Sequence, residues 1–255
     1  MDSNNSATNN FTHTVMPGSS IPAKALHIKD LELFYKIYYK HVFKLGLPAH
    51  ITEAPDSNGT SQVKVDIDLK YNSSELVRLY DDELLQNLIR YHYREIKNWV
   101  IDLSDDERLV FIFEKTKPIW DGKETKWVKD GIHLMMPYLI TPWLLQSKIR
   151  EEVIKQCKEN NLFEKFELRN KITDIIDKAI IYKNNWLLYG SSKCNKEPYL
   201  LTKVFKWNDD DSLEVVPIKN ERWTNKKLIR LLSIRNKTDV TLLKPNLEGH
   251  IVEVQ

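Results

Sequence analysis

The chain has 255 residues, 42% of them apolar and 29% charged, with a net charge of +2. That is enough apolar chain to bury a core as one large domain or two intimate lobes, and the absence of GxGxxG and GxxxxGK[ST] excludes the Gly-rich phosphate loops. Two cysteines, Cys157 and Cys194, lie in no CxxC, and no apolar run approaches the roughly 20 residues a membrane helix needs, so a soluble, cytoplasmic protein without structural zinc or a membrane partner is expected.

Residues 1–22 are rich in Ser, Asn and Thr and read as a mobile tail. A helix follows, with Asp30 as N-cap, a stripe of Leu31, Phe34, Tyr38, Val42 and Leu45, and Gly46 and Pro48 closing it. ITEAPDSNGT (51–60) reads as a loop. In VKVDIDLK (63–70), Val63, Val65, Ile67 and Leu69 alternate with Lys64, Asp66, Asp68 and Lys70, the period of a half-buried strand. A second helix over about 81–100 carries Leu84, Leu85, Leu88, His92, Ile96 and Trp99 on one stripe. Strands at 108–115 and 126–140 are joined through an Asp121-Gly122 hairpin signal. Thr141-Pro142 starts a helix to about Asn160, with Thr as N-cap and Pro at the first turn. Strands are expected within 179–193 and 198–207, and a last helix near Thr224. Strands grouped between helices without a βαβα rhythm indicate an α+β fold with a mostly antiparallel or mixed sheet.

Asp66 and Asp68 stand at i and i+2 on one strand face, about 7 Å apart at Cα. That spacing suits two carboxylates sharing divalent ions; it equally suits a solvated face with Lys64 and Lys70 as counter-charges. In WVKDGIHLMMPYLI, Lys129, Gly131 and His133 share one face. Two donors with a bare backbone position between them suit phosphates and close approach of a ligand. Asp177 follows an apolar pair, with Asp174 as an alternative acid, and Gly190-Ser191-Ser192-Lys193 has the composition of a phosphate-contacting turn. Between Lys219 and Lys237 there are seven basic residues against one acid, with Trp223 among them. Lys226, Lys227 and Arg230 with Trp223 could track a single-strand backbone and stack a base, or the segment is an amphipathic helix with solvated charges.

The ordered set VDIDLKY (65–71), KDGIHLMMPYLIT (129–141), IIDKAIIYKNNWLLYGSSK (175–193), PYLLTKVF (198–205) and LLSIRNK (231–237) resembles the catalytic core of archaeo-eukaryotic primases. It is most similar to the primase–polymerase domain of the primase–helicases of large nucleocytoplasmic DNA viruses. The resemblance implies an RRM-like, metal-bearing sheet module with a smaller N-terminal α/β module, over residues 23–240, and a linker or tail at 241–255. It implies that Asp66, Asp68 and Asp177 hold two Mg²⁺ or Mn²⁺ ions, and that Lys129, Gly131, His133, Ser192 and Lys193 meet the nucleotide. The implied partners are nucleoside triphosphates, a single-stranded DNA template and, in a full-length relative, a superfamily 3 helicase domain. The implied reaction is primer synthesis during viral DNA replication. Many family members have Ser where this chain has Gly131, so a hydroxyl contact is missing and only the backbone N–H could replace it. Two other readings stay open: a DxD metal-dependent glycosyltransferase, and a non-catalytic DNA-binding or replisome module of the same fold.

Overall fold

The computed structural model describes residues 11–18, 22–122, 126–218, 221–235, 241 and 243. In chain order the elements are β1 (His13–Val15), β2 (Lys24–Leu26), α1 (Leu31–Tyr39), β3 (Ile51–Glu53), β4 (Thr60–Asn72) and α2 (Asp82–Trp99). They continue with β5 (Leu109–Glu114), β6 (Ile119–Trp120), β7 (Trp127–Pro142), α3 (Trp143–Glu159), α4 (Ile172–Ile175), β8 (Trp186–Leu187), β9 (Leu200–Trp207), β10 (Leu213–Val215) and α5 (Asn225–Leu231). The strands form two antiparallel sheets, a small one ordered β2-β1-β3-β8 and a large one ordered β10-β9-β5-β7-β4, with β6 added along β7. The mixed helix-and-strand architecture is the expected α+β fold.

The long β4/β7 pair is the spine, and the period-two pattern of β4 dictates its two faces. Val63, Val65, Ile67, Leu69 and Tyr71 are buried in one core with Leu84, Leu85, Leu88 and Ile96 of α2 and Leu145, Ile149 and Val153 of α3. Each such aliphatic burial contributes roughly 1.5–3 kcal/mol, so this face fixes the register of the acids on the other. Asp66 is paired with His133, Asp68 with Gly131, and Lys70 with Lys129. A second core lies across the sheet, where Phe111, Phe113 and Met135 meet Tyr35 and Tyr38 of α1, Trp186, and Leu228 and Ile229 of α5.

Capping follows the sequence at two helices: Asp30 accepts from the Leu33 N–H and Asp81 from the Leu84 N–H. His92 is buried on α2, where Nδ1 lies 2.7 Å from the Leu88 carbonyl and burial pushes its pKa down to about 4, so it is a neutral structural residue.

Several expectations need correction. The assigned tail is not free chain as far as residue 22: Thr14 pairs with Thr52 and Ala25, so residues 13–15 are the centre of the small sheet, while residues 1–10 lie outside the described ones. Ile51–Glu53, read as loop, is strand β3, held from both sides by β1 and β8. The α1 stripe stops early because a π turn at Lys40–Lys44 rotates the chain after it, leaving Leu45 exposed. Thr141 is not a helix cap; β7 runs on through Pro142, which itself occupies the N-cap position of α3. The strand expected over 179–193 shrinks to Trp186–Leu187, because residues 179–184 close a turn in which Asn184 N–H donates to the Ala179 carbonyl. Lys219, Lys237 and all of 241–255 except 241 and 243 lie outside the described residues.

Gly190 ends that segment at φ +89°, and a Cβ there would lie 2.7 Å from Phe43 Cζ. Gly190→Ala is therefore expected to cost about 1–3 kcal/mol, read as a lower urea midpoint, since backbone and neighbour both resist the methyl.

Candidate active site

The outward face of β4/β7 is the floor of a cavity of about 630 Å³ between the two sheets. Asp66, Asp68, Lys129, His133, Lys193, Lys115 and Tyr199 line one side. Thr14 and Thr52 of the small sheet, with Asn185, line the other. Asn185 Nδ2 donates to both threonine hydroxyls (3.0 and 3.1 Å) and so braces that wall.

Asp66 is the centre of the electrostatics. Burial, then the charges of Asp68 and Asp177, push its pKa up to about 7 against the pull of Lys129 and Lys193. Its Oδ1 is buried without a hydrogen-bond partner. His133 Nε2 stands 3.4 Å from that oxygen. Burial, followed by Lys115, Lys193 and Lys129, holds the His133 pKa down to about 3, so the contact joins a neutral imidazole to the acid and is no ion pair. The His133 ring lies between Tyr199 (centroids 3.7 Å apart) and Trp186 (4.6 Å). Lys129 Nζ bonds Asp68 Oδ2 at 2.9 Å. Burial and the neighbouring Lys129 and Lys193 lower the Lys115 pKa.

Asp177 is brought beside Asp66 by backbone: its N–H donates to the Asp66 carbonyl (2.9 Å), next to an Ile67–Ile176 bridge. Arg150 of α3 holds this loop through the Ile176 carbonyl, and Lys64 Nζ reaches the Ile181 carbonyl. The Asp177 carboxylate faces its own turn, accepting from Ala179 N–H (2.9 Å) and Asn184 Nδ2 (3.1 Å), and it does not line the cavity. Among the described residues, no three His, Cys, Asp or Glu side chains stand together at metal-holding spacing. The donor set nonetheless fits a divalent ion at Asp66 and Asp68: a bare buried oxygen, hard carboxylates and an acid whose charge is unfavourable without a cation. Asp177 accepts one hydrogen bond on each carboxylate oxygen and would join through the remaining lone pairs.

Other site expectations are corrected by the geometry. Ser192 is no phosphate contact through its backbone, because its N–H donates to the Ala49 carbonyl and its own carbonyl accepts from His50. Gly131 offers neither open space nor a spare N–H: Tyr199 Oη fills the space, and the N–H donates to Asp130 Oδ1. Trp223 cannot stack a base, since it is 4% exposed and packs edge-on against Phe111. Arg230 is bound to Glu32 of α1 and Lys227 Nζ to the Glu221 carbonyl, while Lys226 is exposed. Lys115, Asn185 and Tyr199 were given no role from the sequence, although Lys115 closes the apolar stretch read as a strand over 108–115; Trp186, read as a packing residue, is buried in the second core.

The family model described as "C962R protein N-terminal AEP domain" matches residues 12–205, from β1 into β9. The chain belongs to this archaeo-eukaryotic primase family. It is 30% identical over 177 residues to the "Putative helicase L207/L206" of Acanthamoeba polyphaga mimivirus, covering 69% of this chain and 18% of that protein. It is 26% identical over 215 residues to the "Putative primase C962R" of African swine fever virus, covering 81% of this chain and 21% of that protein. This AEP domain thus spans about a fifth of the length of the curated relatives it matches. The match is to the primase domain of viral primase–helicases, and it sets the glycosyltransferase alternative aside. No helix among the described residues is long and apolar enough to cross a membrane.

Proposed function

We propose that this AEP domain is a DNA primase–polymerase that joins nucleoside triphosphates into primers on single-stranded DNA during viral DNA replication. Its setting would be the host cytoplasm or a viral replication site, and a full-length relative would carry a superfamily 3 helicase domain. The observation that carries the reading is the unpartnered Asp66 Oδ1 in a cavity that also holds Asp68 and three lysines, Lys115, Lys129 and Lys193. Two Mg²⁺ or Mn²⁺ ions bound at Asp66, Asp68 and Asp177 would supply charge neutralisation of the triphosphate and activation of a primer 3′-hydroxyl. Lys193 and Lys115 bind phosphate oxygens, and Lys129 turns from Asp68 to the same oxygens when that carboxylate takes a cation. His133 offers a neutral N–H fixed by its two aromatic neighbours, so it orients a phosphate without adding charge. Incubation with an unprimed single-stranded template, labelled triphosphates and Mg²⁺ or Mn²⁺, with products sized on a gel, tests the reading.

The second reading, a DNA-binding or replisome module without catalysis, draws on the Lys129–Asp68 pair and the capped Asp177. It predicts DNA binding indifferent to metal and no products in that assay.

Template binding has its own expectation. With Arg230 bound to Glu32 and Trp223 buried, Lys226 and Lys227 are the α5 residues proposed to meet DNA phosphates. Replacing both with Ala should flatten the log–log salt dependence of single-strand binding by about 0.7 per lost contact, measured by filter binding across a salt series. Equal slopes would leave α5 a solvated helix.

A further inference from the structure

Besides Asp66 Oδ1, the cavity floor presents a further polar atom that no described residue hydrogen-bonds. Tyr199 stacks its ring on His133 at an interplanar angle of 22°, and Lys115 Nζ stands 4.5 Å from the ring centroid. Its hydroxyl reaches over Gly131: a Cβ built on that glycine would lie 2.3 Å from Tyr199 Oη and 3.4 Å from Asp68 Oδ1. The Gly131 backbone is not in the left-handed region, so nothing conformational requires glycine there. What requires it is the phenol. No described residue hydrogen-bonds the Tyr199 hydroxyl, and a phenol keeps its proton at neutral pH, so it is a donor.

Residues 129, 131 and 133 share one face of β7, and the phenol fills the gap between Lys129 and His133. A donor in a row of donors, with Lys115 beside it, calls for a ligand rich in acceptors and negative charge. We propose that Tyr199 is a substrate-binding residue whose hydroxyl donates to the triphosphate of the incoming nucleotide, from the place a residue-131 side chain would otherwise occupy. The proposal rests on reading the Lys129–His133 row as the triphosphate site.

Calorimetry with a non-hydrolysable nucleoside triphosphate and with inorganic tripolyphosphate, each with Mg²⁺, tests it. Tyr199→Phe keeps the ring stack and removes only the hydroxyl. It should weaken both ligands about tenfold, the scale of a hydrogen bond to a charged group, at an unchanged melting temperature. Gly131→Ser alone should lower the melting temperature, because its Cβ meets Tyr199 Oη. Placed in a Tyr199→Ala background, where the space is open, the same serine should recover part of the affinity that Tyr199→Ala loses. If Tyr199→Phe binds both ligands as the wild type does while Lys129→Ala and His133→Ala bind them weakly, the Tyr199 proposal is wrong and the phosphate row stands. If all three variants bind as wild type, the row is wrong as well. A loss confined to the nucleotide would place the contact on the nucleoside and overturn the triphosphate assignment.

Discussion

Asp66→Asn should abolish nucleotide incorporation and at the same time make the metal-free protein more stable above pH 7. The activity loss follows from removing the acid at the centre of the site, and at least about a thousandfold is expected because residues that hold one charge constellation act as a unit. The stability gain follows from the direction of the Asp66 shift. Its pKa in the fold is about 7, raised from 3.8 chiefly by burial and then by Asp68 and Asp177. The folded state therefore keeps a proton that the unfolded chain gives up at lower pH. Below about pH 4 both states are protonated and the group makes no difference. Between about pH 4 and 7 stability falls as pH rises, and above 7 the full penalty stands, on the order of 4 kcal/mol at most. Asparagine has no charge to desolvate, so thermal melts should show variant and wild type converging near pH 4 and the variant ahead at pH 8. Added Mg²⁺ should close the gap by stabilising the wild type alone. A variant that melts below the wild type at pH 8 without metal would show that the Asp66 charge is not penalised by its surroundings.

Much of this site was legible because a strand writes its geometry directly into sequence. The alternation of β4 set Asp66 and Asp68 on one face, and the same parity in β7 set His133 and Gly131 opposite them, with Lys129 next along that face. Asp177 stood out as an acid after two isoleucines, but only the resemblance chose it over Asp174, since no spacing rule reaches from there to β4. What stayed hidden depends on contacts between distant segments. Thr14 becomes a cavity wall because β1 inserts between β2 and β3, which a polar stretch does not announce. Gly131 looked open because the sequence cannot show Tyr199 folding over it. Trp223 looked available among its basic neighbours, yet its ring is consumed by Phe111 from β5. The Gly190–Lys193 turn had the right composition for phosphate, and its Ser191 and Ser192 N–H groups are spent on the Leu188 and Ala49 carbonyls.

Arg78→Ala should cost about 3–5 kcal/mol of folding stability. Arg78 grips Asp130 with two nitrogens, Nε to Oδ2 at 2.9 Å and Nη2 to Oδ1 at 3.2 Å. Nη1 reaches Glu114 Oε1 at 3.2 Å and Nη2 the Lys115 carbonyl at 2.8 Å. The Asp130 and Glu114 side chains are 1% and 5% exposed, so losing the guanidinium leaves Asp130 buried without its cation and Glu114 with only Lys203, whose Nζ stands 4.0 Å from Oε2. Tyr80, which donates to Glu114 Oε1 at 2.6 Å, and Thr202, which donates to Oε2, soften the loss at Glu114 but supply no charge. Lysine cannot make the two-pronged contact, so Arg78→Lys should recover less than half of the loss. The damage should also reach the cavity. Asp130 and Glu114 sit on the helix-covered side of β7 and β5, and their chain neighbours Lys129 and Lys115 line the cavity. Arg78 thus clamps from below the strand ends that present these lysines, and nucleotide affinity should fall in Arg78→Ala although the residue touches no ligand. Urea unfolding gives the stability and calorimetry the affinity. A stability loss under 1 kcal/mol would mean that water reaches both carboxylates once the arginine is gone. Combining Arg78→Ala with Asp130→Asn separates the two causes: removing the stranded charge should restore part of the stability, and affinity should stay low because the clamp on the Lys115 carbonyl is still missing.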